Sequence, residues 1–211
     1  MLKTEILKRI RYEKVVALIR ADRADSIVDC ARALSAGGLN AIELTMTTPG
    51  ALELVAEVCR SLPGVMVGLG TVLDAATARA GVAAGAQFIV TPGVRPDVIK
   101  ACHQQGVAIL SGALTPTEVA HASDLGADVI KIFPAEFFGP AYIRSLRAVF
   151  PHTHFMPTGG VTTLTLGEFL QAGAFAAAAG SSLVDPDTLK ACDWAGITAR
   201  AAEFSAAAAA A

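Results

Sequence analysis

A lysine lies in the middle of an apolar segment with the pattern of a buried strand, Asp128-Val129-Ile130-Lys131-Ile132-Phe133-Pro134. Burial disfavours the charged form of an amine, so a lysine held there without a partner tends to lose its proton. A neutral amine is a nucleophile, and desolvated lysines are the residues that form Schiff bases with ketones. The alternative is an edge strand from which the amine reaches out to solvent. The rest of the chain favours the first interpretation.

A glutamate occupies a second strand-like segment, Ala41-Ile42-Glu43-Leu44-Thr45. Side chains alternate along a strand, so Glu43 and Lys131 can both point to the inner side of a curved sheet. They belong to the second and sixth strand patterns, and even-numbered strands fill the same interior layers of a barrel. We therefore predict that Glu43 meets Lys131 across the barrel axis as a general acid/base. A purely structural ion pair is the alternative.

Two glycine-rich segments, Thr158-Gly159-Gly160-Val161 and Gly180-Ser181-Ser182, follow the seventh and eighth strand patterns. Glycines at strand ends let backbone N–H groups approach a ligand closely. The loops after strands seven and eight are where barrels commonly hold phosphate, aided by a helix N-terminus. The pair of segments predicts a phosphate site.

Strand and helix patterns alternate along the whole chain, with strand ends near residues 20, 45, 69, 91, 110, 133, 158 and 180. Eight such units predict an α/β fold, a (β/α)₈ TIM barrel, whose chemistry lies at the carboxyl ends of the strands. A doubly wound open sheet is the alternative. The alanine-rich segment 174–179 is interpreted as the eighth strand, against its helix propensity, because it falls in step with the other strands.

The remaining segments complete a single domain over residues 1–211. Residues 2–12 have helical spacing of Leu2, Ile6 and Ile10, which predicts an amphipathic helix across one end of the barrel rather than a signal peptide. Residues 206–211 are all alanine, and we expect this tail to be frayed.

Composition argues against several classes of protein. The formal charge is −2, and no block of like charge suggests a nucleic acid or a membrane surface as partner. No apolar run approaches the ~18 residues of a membrane span. The four cysteines are scattered and the four histidines lack metal-ligand spacing, so we expect no metal and a reducing, cytoplasmic setting.

The chain resembles the KDPG/KHG aldolases, which act on 2-keto-3-deoxy-6-phosphogluconate and 2-keto-4-hydroxyglutarate, over about residues 14–185. The segments that carry the resemblance are Ala36-Gly37-Gly38, Ile42-Glu43-Leu44-Thr45, Gly68-Leu69-Gly70-Thr71-Val72, Gly85-Ala86-Gln87-Phe88, Lys131-Ile132-Phe133-Pro134-Ala135-Glu136, Pro157-Thr158-Gly159-Gly160-Val161 and Gly180-Ser181-Ser182-Leu183-Val184. This family implies a class I aldolase with a TIM barrel, no metal or organic cofactor, and a homotrimeric assembly.

The resemblance also implies roles for individual residues. Lys131 would form the Schiff base and Glu43 would be the general acid/base. The remaining site residues fall into two groups, a pyruvyl group of Thr71, Thr158, Phe133 and Pro92, and a phosphate group of Gly159, Gly160, Gly180 and Ser181.

One position departs from the family pattern. Many members carry an arginine four residues after the glutamate, and here that position is Thr47. The neighbouring first strand ends in Arg20, which we predict stands in for the missing cation at the substrate carboxylate or phosphate. The alternative is a surface ion pair between Arg20 and Asp22 or another acid.

Several activities remain open at this stage. The sequence does not fix the C4 stereochemistry of the substrate, so 2-keto-3-deoxy-6-phosphogalactonate is an alternative to the gluconate series. A keto-deoxy-sugar dehydratase is a further possibility among the lyases. A phosphosugar isomerase or epimerase, or a non-catalytic sugar-phosphate-binding barrel, would use the same phosphate loops without needing a buried lysine.

Overall fold

Eight parallel strands form one sheet in a computed structural model that describes residues 2–211. The strands are β1 Val15–Ile19, β2 Ala41–Thr45, β3 Met66–Gly70, β4 Phe88–Val90, β5 Ala108–Ala113, β6 Val129–Ile132, β7 Phe155–Pro157 and β8 Ala177–Ala179. Their spatial order is β7-β6-β5-β4-β3-β2-β1-β8, and a bridge between Thr158 and Ala178 joins the two ends. The predicted (β/α)₈ barrel is confirmed, and the open sheet is excluded.

Helices alternate with the strands and cover the outside of the barrel. They are α1 Lys3–Glu13, α2 Ile27–Ala36, α3 Ala51–Ser61, α4 Ala75–Ala83, α5 Pro96–Gln105, α6 Pro116–Asp124, α7 Gly139–Val149, α8 Thr163–Gln171, α9 Pro186–Lys190 and α10 Trp194–Ala210, with a 3₁₀ turn at Ala135–Phe137. None of the helices in the described part of the chain is long and apolar enough to cross a membrane.

Two apolar clusters lie on opposite sides of the sheet. The larger packs the strands against the outer helices. The smaller fills the barrel interior with inward-facing residues such as Val16, Met66 and Phe88. Ile6 and Ile10 of α1 belong to this inner cluster, so the N-terminal helix covers one end of the barrel as predicted, and that end is the amino end of the strands. The barrel interior is therefore open at its carboxyl end.

The C-terminal region differs from two expectations. The alanine tail is not frayed, because α10 continues to Ala210 and buries Ala208, whose carbonyl accepts a hydrogen bond from Lys14 Nζ at 2.9 Å. Alanine has the highest helix propensity, and packing on the barrel fixes the helix that it favours. In the segment 174–179, only Ala177–Ala179 is strand, although none of it is helical.

Candidate active site

Lys131 and Glu43 meet inside the barrel, as the alternation of side chains predicts. Lys131 Nζ lies 3.3 Å from Glu43 Oε1, and the two residues are 6% and 0% exposed. They come from β6 and β2, which lie across the barrel from each other. Taking an amine and a carboxylate out of water costs several kcal/mol, and a structural role alone rarely needs such a pair. The arrangement places a buried amine beside a buried carboxylate at the one end of the barrel that α1 leaves open.

The neighbouring strand makes room for the glutamate. Gly70 at the end of β3 pairs with Thr45 of β2, and a methyl group added to Gly70 would lie 2.0 Å from Glu43 Oε1. Any larger residue would push the carboxylate away from Lys131 Nζ. The G-x-G pattern of β3 therefore allows the close approach of Glu43 to the amine.

Two buried oxygen atoms in this region lack a partner among the described residues. They are Glu43 Oε2 and Thr158 Oγ1. An unsatisfied buried polar atom costs about 1–3 kcal/mol unless a ligand or water satisfies it. Thr158 directly follows β7, and its backbone N–H donates to Ile132 O beside Lys131. Both orphan atoms are therefore available to a molecule bound near the amine.

The other residues predicted for the pyruvyl end lie around the barrel mouth. Thr71, half-buried after β3, has a φ of 59°, which is unusual for a β-branched residue. Phe133 is 45% exposed, and its ring centre lies 6.0 Å from Lys131 Nζ. Pro92 is exposed. It packs closely on Gly112, the β5 partner of Lys131, because a methyl group added to Gly112 would lie 2.2 Å from the carbonyl carbon of Pro92.

The two glycine-rich loops lie side by side at this end. Ser182 Oγ donates to Val161 O and so ties the β8–α9 loop to the β7–α8 loop. No backbone carbonyl within residues 2–211 accepts from the N–H groups of Gly160, Val161, Ser181 or Ser182. Free N–H groups at two adjacent strand ends, with the α8 N-terminus close in sequence, form an arrangement that suits an anion.

Arg20 lies at the same end but lines a different space. It is exposed and borders a cavity of about 350 Å³ between the β1–α2 loop and α9, whose walls include Asp22, Lys190 and Trp194 but neither Lys131 nor Glu43. Arg20 forms no ion pair with Asp22 or with any other acid in the described chain. Its predicted role toward the substrate stays a prediction.

Sequence reasoning missed two hydrogen bonds and one packing contact at the mouth. Thr47, at the position of the absent arginine, shares a 2.8 Å hydrogen bond between hydroxyls with buried Thr45. Buried Thr48 accepts from the N–H of Ala21, which holds the chain just after Arg20. The third contact is that of Glu136 with Gly160. The run of threonines was visible in the sequence, but their partners depend on how loops from different strands meet.

A metal site is not found in residues 2–211, where no group of three His, Cys, Asp or Glu side chains could hold an ion. The residues that converge on the open end are an amine, a carboxylate, hydroxyls and backbone N–H groups. Such a set is suited to covalent and acid/base chemistry on an anionic carbonyl compound.

Comparison with known sequences gives a consistent result. The family model "KDPG and KHG aldolase" matches residues 6–200. The 2-dehydro-3-deoxy-phosphogluconate aldolase of Treponema pallidum is 37% identical over 196 residues, which cover 92% of each chain. The enzyme of the same name from Zymomonas mobilis is 39% identical over 90% of this chain and 89% of its own.

Solved structures agree with the sequence matches. The 2-keto-3-deoxy-6-phosphogluconate aldolase of Zymomonas mobilis, solved with 3-phosphoglycerate, is similar with a TM-score of 0.85 and 34% identity, covering 97% of this chain and 96% of that one. The KDPG aldolase of Legionella pneumophila, with pyruvate captured as a covalent carbinolamine, has a TM-score of 0.86 and 26% identity over 92% and 95% of the chains. From the matching family model, the close relatives and the shared barrel, this chain belongs to the KDPG and KHG aldolase family.

Proposed function

We propose that this chain is a class I aldolase, a lyase that cleaves 2-keto-3-deoxy-6-phosphogluconate to pyruvate and glyceraldehyde 3-phosphate. The observation that carries this proposal is the buried contact of 3.3 Å between Lys131 Nζ and Glu43 Oε1 at the open end of the barrel. The relatives from Treponema and Zymomonas carry the name of this activity. A phosphosugar isomerase or a non-catalytic binding barrel would have no use for a buried amine beside a carboxylate.

The reaction begins with attack of neutral Lys131 Nζ on the C2 ketone of the substrate. The carbinolamine that forms loses its hydroxyl group as water, with the proton supplied by Glu43, and an iminium remains. The iminium is an electron sink, and the adjacent carboxylate stabilises its positive charge. The solved Legionella relative captures pyruvate in a covalent carbinolamine, which corresponds to this first stage.

Cleavage follows from the same two side chains. Glu43, directly or through a water, removes the proton of the C4 hydroxyl, the C3–C4 bond breaks, and the aldehyde leaves. The electrons of that bond remain as an enamine of pyruvate on Lys131. Glu43 returns the proton to C3, and hydrolysis of the resulting iminium releases pyruvate and restores the free amine. One carboxylate thus serves both as base and as acid.

The remaining residues hold the ends of the substrate. Thr71 and Thr158 would bind the pyruvyl end through their hydroxyls, while Phe133 and Pro92 would form its apolar walls. The second set, at the phosphate end, is Gly159, Gly160, Gly180 and Ser181. The free N–H groups of the two glycine-rich loops support this assignment, because they can donate to phosphate oxygens without needing a cation.

We propose that Arg20 supplies the positive charge that many family members supply with an arginine at the position of Thr47. Arg20 directly follows β1, at the carboxyl end of the barrel where Lys131 and Glu43 also lie. The hydrogen bond from Ala21 N to Thr48 Oγ1, 3.2 Å long, fixes the backbone beside it. Arg20 would then reach the substrate carboxylate or phosphate with its planar fork.

Assembly and location follow from the same family resemblance. We propose a homotrimer. Phe137 and Phe138, beside the mouth, are 76% and 48% exposed, and exposed aromatic side chains of this kind support a contact with another copy of the chain. The four free cysteines fit a reducing cytoplasm. Light scattering after size-exclusion chromatography should give three times the chain mass, and a monomeric mass would contradict the proposal.

The activity is tested by pyruvate release from the two C4 epimers of the substrate, each with and without its phosphate. We expect fastest release from the phosphorylated gluconate-series acid and slower release from 4-hydroxy-2-oxoglutarate. A preference for the galactonate-series acid would correct the substrate but retain the mechanism. No pyruvate from any of these acids would contradict the aldolase proposal.

A further inference from the structure

Glu136 lies against one of the loops assigned to phosphate. It belongs to the 3₁₀ turn Ala135–Phe137 that follows the Lys131 strand. A methyl group added to Gly160 would lie 2.4 Å from Glu136 Cβ and 3.2 Å from Glu136 Oε2. The φ of Gly160 is +67°, so a side chain there would be strained as well as crowded. The missing side chain of Gly160 thus brings a carboxylate onto the loop.

The contact is part of a broader junction between the two segments. Ala135 N donates to Thr158 O at 2.8 Å, and a methyl group on Gly159 would lie 3.5 Å from both Ala135 N and the Phe133 ring. The turn that carries Glu136 is therefore held on the β7–α8 loop by its backbone. The position of the Glu136 backbone is fixed by this packing, although its side chain is exposed.

No cation within residues 2–211 neutralises Glu136, because the six ion pairs in that part of the chain involve other acids. The neighbouring N–H groups of Gly160 and Val161 attract an anion, whereas a carboxylate beside them repels one. A phosphate bound at this loop would be attracted by the N–H groups and repelled by the carboxylate. A neutral hydroxymethyl group in the same place would be affected little by either.

We infer that Glu136 determines selectivity for charge at the far end of the substrate, weakening the binding of a phosphate dianion relative to an uncharged group. This inference rests on the proposed phosphate site and adds a residue to it. The reacting atoms at Lys131 are not involved, so Glu136 is a specificity residue rather than a catalytic one. It also favours release of the phosphorylated aldehyde once the C3–C4 bond has broken.

The test is a charge series at one position, with Glu136→Gln and Glu136→Lys carrying zero and positive charge. The value of kcat/KM for the phosphorylated acid should rise about tenfold for the first substitution and further for the second, mainly through KM. For 2-keto-3-deoxygluconate, the same acid without phosphate, it should change by less than about twofold. The difference between the variants should shrink in high salt.

Inorganic phosphate provides an independent probe. As a competitive inhibitor it should bind more tightly along the series from Glu to Gln to Lys at position 136. The matched control is the same series at Glu57, an exposed residue of α3, which changes the net charge equally without touching the loop. Phosphate inhibition should be unaffected by the control substitutions.

Two outcomes would contradict the inference, and only the second would also contradict the proposed phosphate site. If phosphate inhibits the parent but the Glu136 series leaves its affinity unchanged or lowers it, the selectivity role is wrong and the phosphate site stands. A drop in affinity would indicate that the carboxylate accepts a hydrogen bond from the ligand instead. If phosphate inhibits neither the parent nor any variant, the inference fails together with the phosphate site, and borohydride trapping at Lys131 still tests the aldolase.

Discussion

The inner and outer parts of the site are built in different ways. The inner part consists of two side chains, Lys131 and Glu43, which are almost fully buried and lie on opposite strands of a closed barrel. The outer part consists of loops, where free backbone N–H groups, an exposed arginine and an unpaired carboxylate surround the mouth. The inner geometry is fixed by strand register, and the outer geometry depends on how neighbouring loops contact one another.

This difference separates chemistry from selectivity. A buried amine beside a carboxylate can form a Schiff base with any 2-keto acid that reaches it. Which acid reaches it depends on the charges and N–H groups at the rim. Substitutions in the inner part should therefore affect all substrates alike, whereas substitutions in the rim should affect them unequally.

The largest loss is expected for Glu43→Gln. It keeps the shape of the side chain but removes the carboxylate that we propose exchanges protons at C4 and C3. Turnover should fall by about 100-fold or more, the usual scale for a lost general acid/base. The loss should be equal for phosphorylated and unphosphorylated acids, while Lys131 should still form some adduct with pyruvate. Nearly unchanged turnover, measured by pyruvate release, would make Glu43 a structural residue.

Arg20 provides the next largest effect and tests where the substrate cation lies. Arg20→Ala should lower kcat/KM by about 1.5–3 kcal/mol, the range for a charged hydrogen bond, or roughly 10- to 150-fold. Arg20→Lys keeps the charge but loses the fork, so it should restore only part of this loss. Arg23→Ala, in the same loop but paired with Asp25, is the control. If both Arg20 variants have the kinetics of the parent, Arg20 does not replace the missing family arginine.

Substitutions in the two glycine-rich loops should affect phosphorylated and unphosphorylated substrates unequally. Gly160→Asp places a repelling charge and a strained side chain at the loop, so it should impair phosphorylated substrates strongly. Ser181→Ala removes one donor and should cost about 1 kcal/mol, or roughly fivefold. Both should leave 4-hydroxy-2-oxoglutarate less affected. Equal losses with the two substrates would mean that these loops do not bind phosphate.

The smallest effect is expected from thiol modification. Burial raises the pKa of the Cys30 thiol to about 12, and burial with the nearby Asp128 carboxylate raises the pKa of the Cys102 thiol to about 12. Because the thiolate is the reactive form, both should resist a maleimide at pH 8 in the folded protein. Exposed Cys192, beside the Arg20 cavity, should react first.

Peptide mapping after limited labelling identifies the modified thiol. Modification of Cys192 should leave Schiff-base formation with pyruvate intact, because the cavity does not include Lys131. Loss of adduct formation after labelling Cys192 alone would show that the two regions are coupled.

The inner part was predictable from the sequence because strands obey simple rules. Alternation and strand number were sufficient to bring Glu43 and Lys131 together, and the amphipathic pattern of Ile6 and Ile10 placed α1 across one end of the barrel. The prediction that the C-terminal alanine tail is frayed was wrong, because a run of alanine is compatible both with a disordered tail and with a helix. The same residues that lack anchoring side chains also favour helix, and packing of Ala208 decides the outcome.

The rim was less accessible to sequence reasoning. Glu136 lies in a segment that carries the family resemblance, but its contact with Gly160 joins loops from two different strands. Likewise, the hydrogen bond between Thr45 and Thr47 and the cavity beside Arg20 depend on loop paths. Such paths are set by many weak contacts rather than by one periodic pattern.

Reductive trapping shows directly whether Lys131 is the nucleophile. The protein is incubated with pyruvate and sodium borohydride, and its mass and peptide map are then compared with those of Lys131→Met treated alike. We expect one reduced pyruvyl group per chain, on Lys131, and none on the variant. A label on any other lysine, an equal label on the variant, or no label on the parent would contradict it.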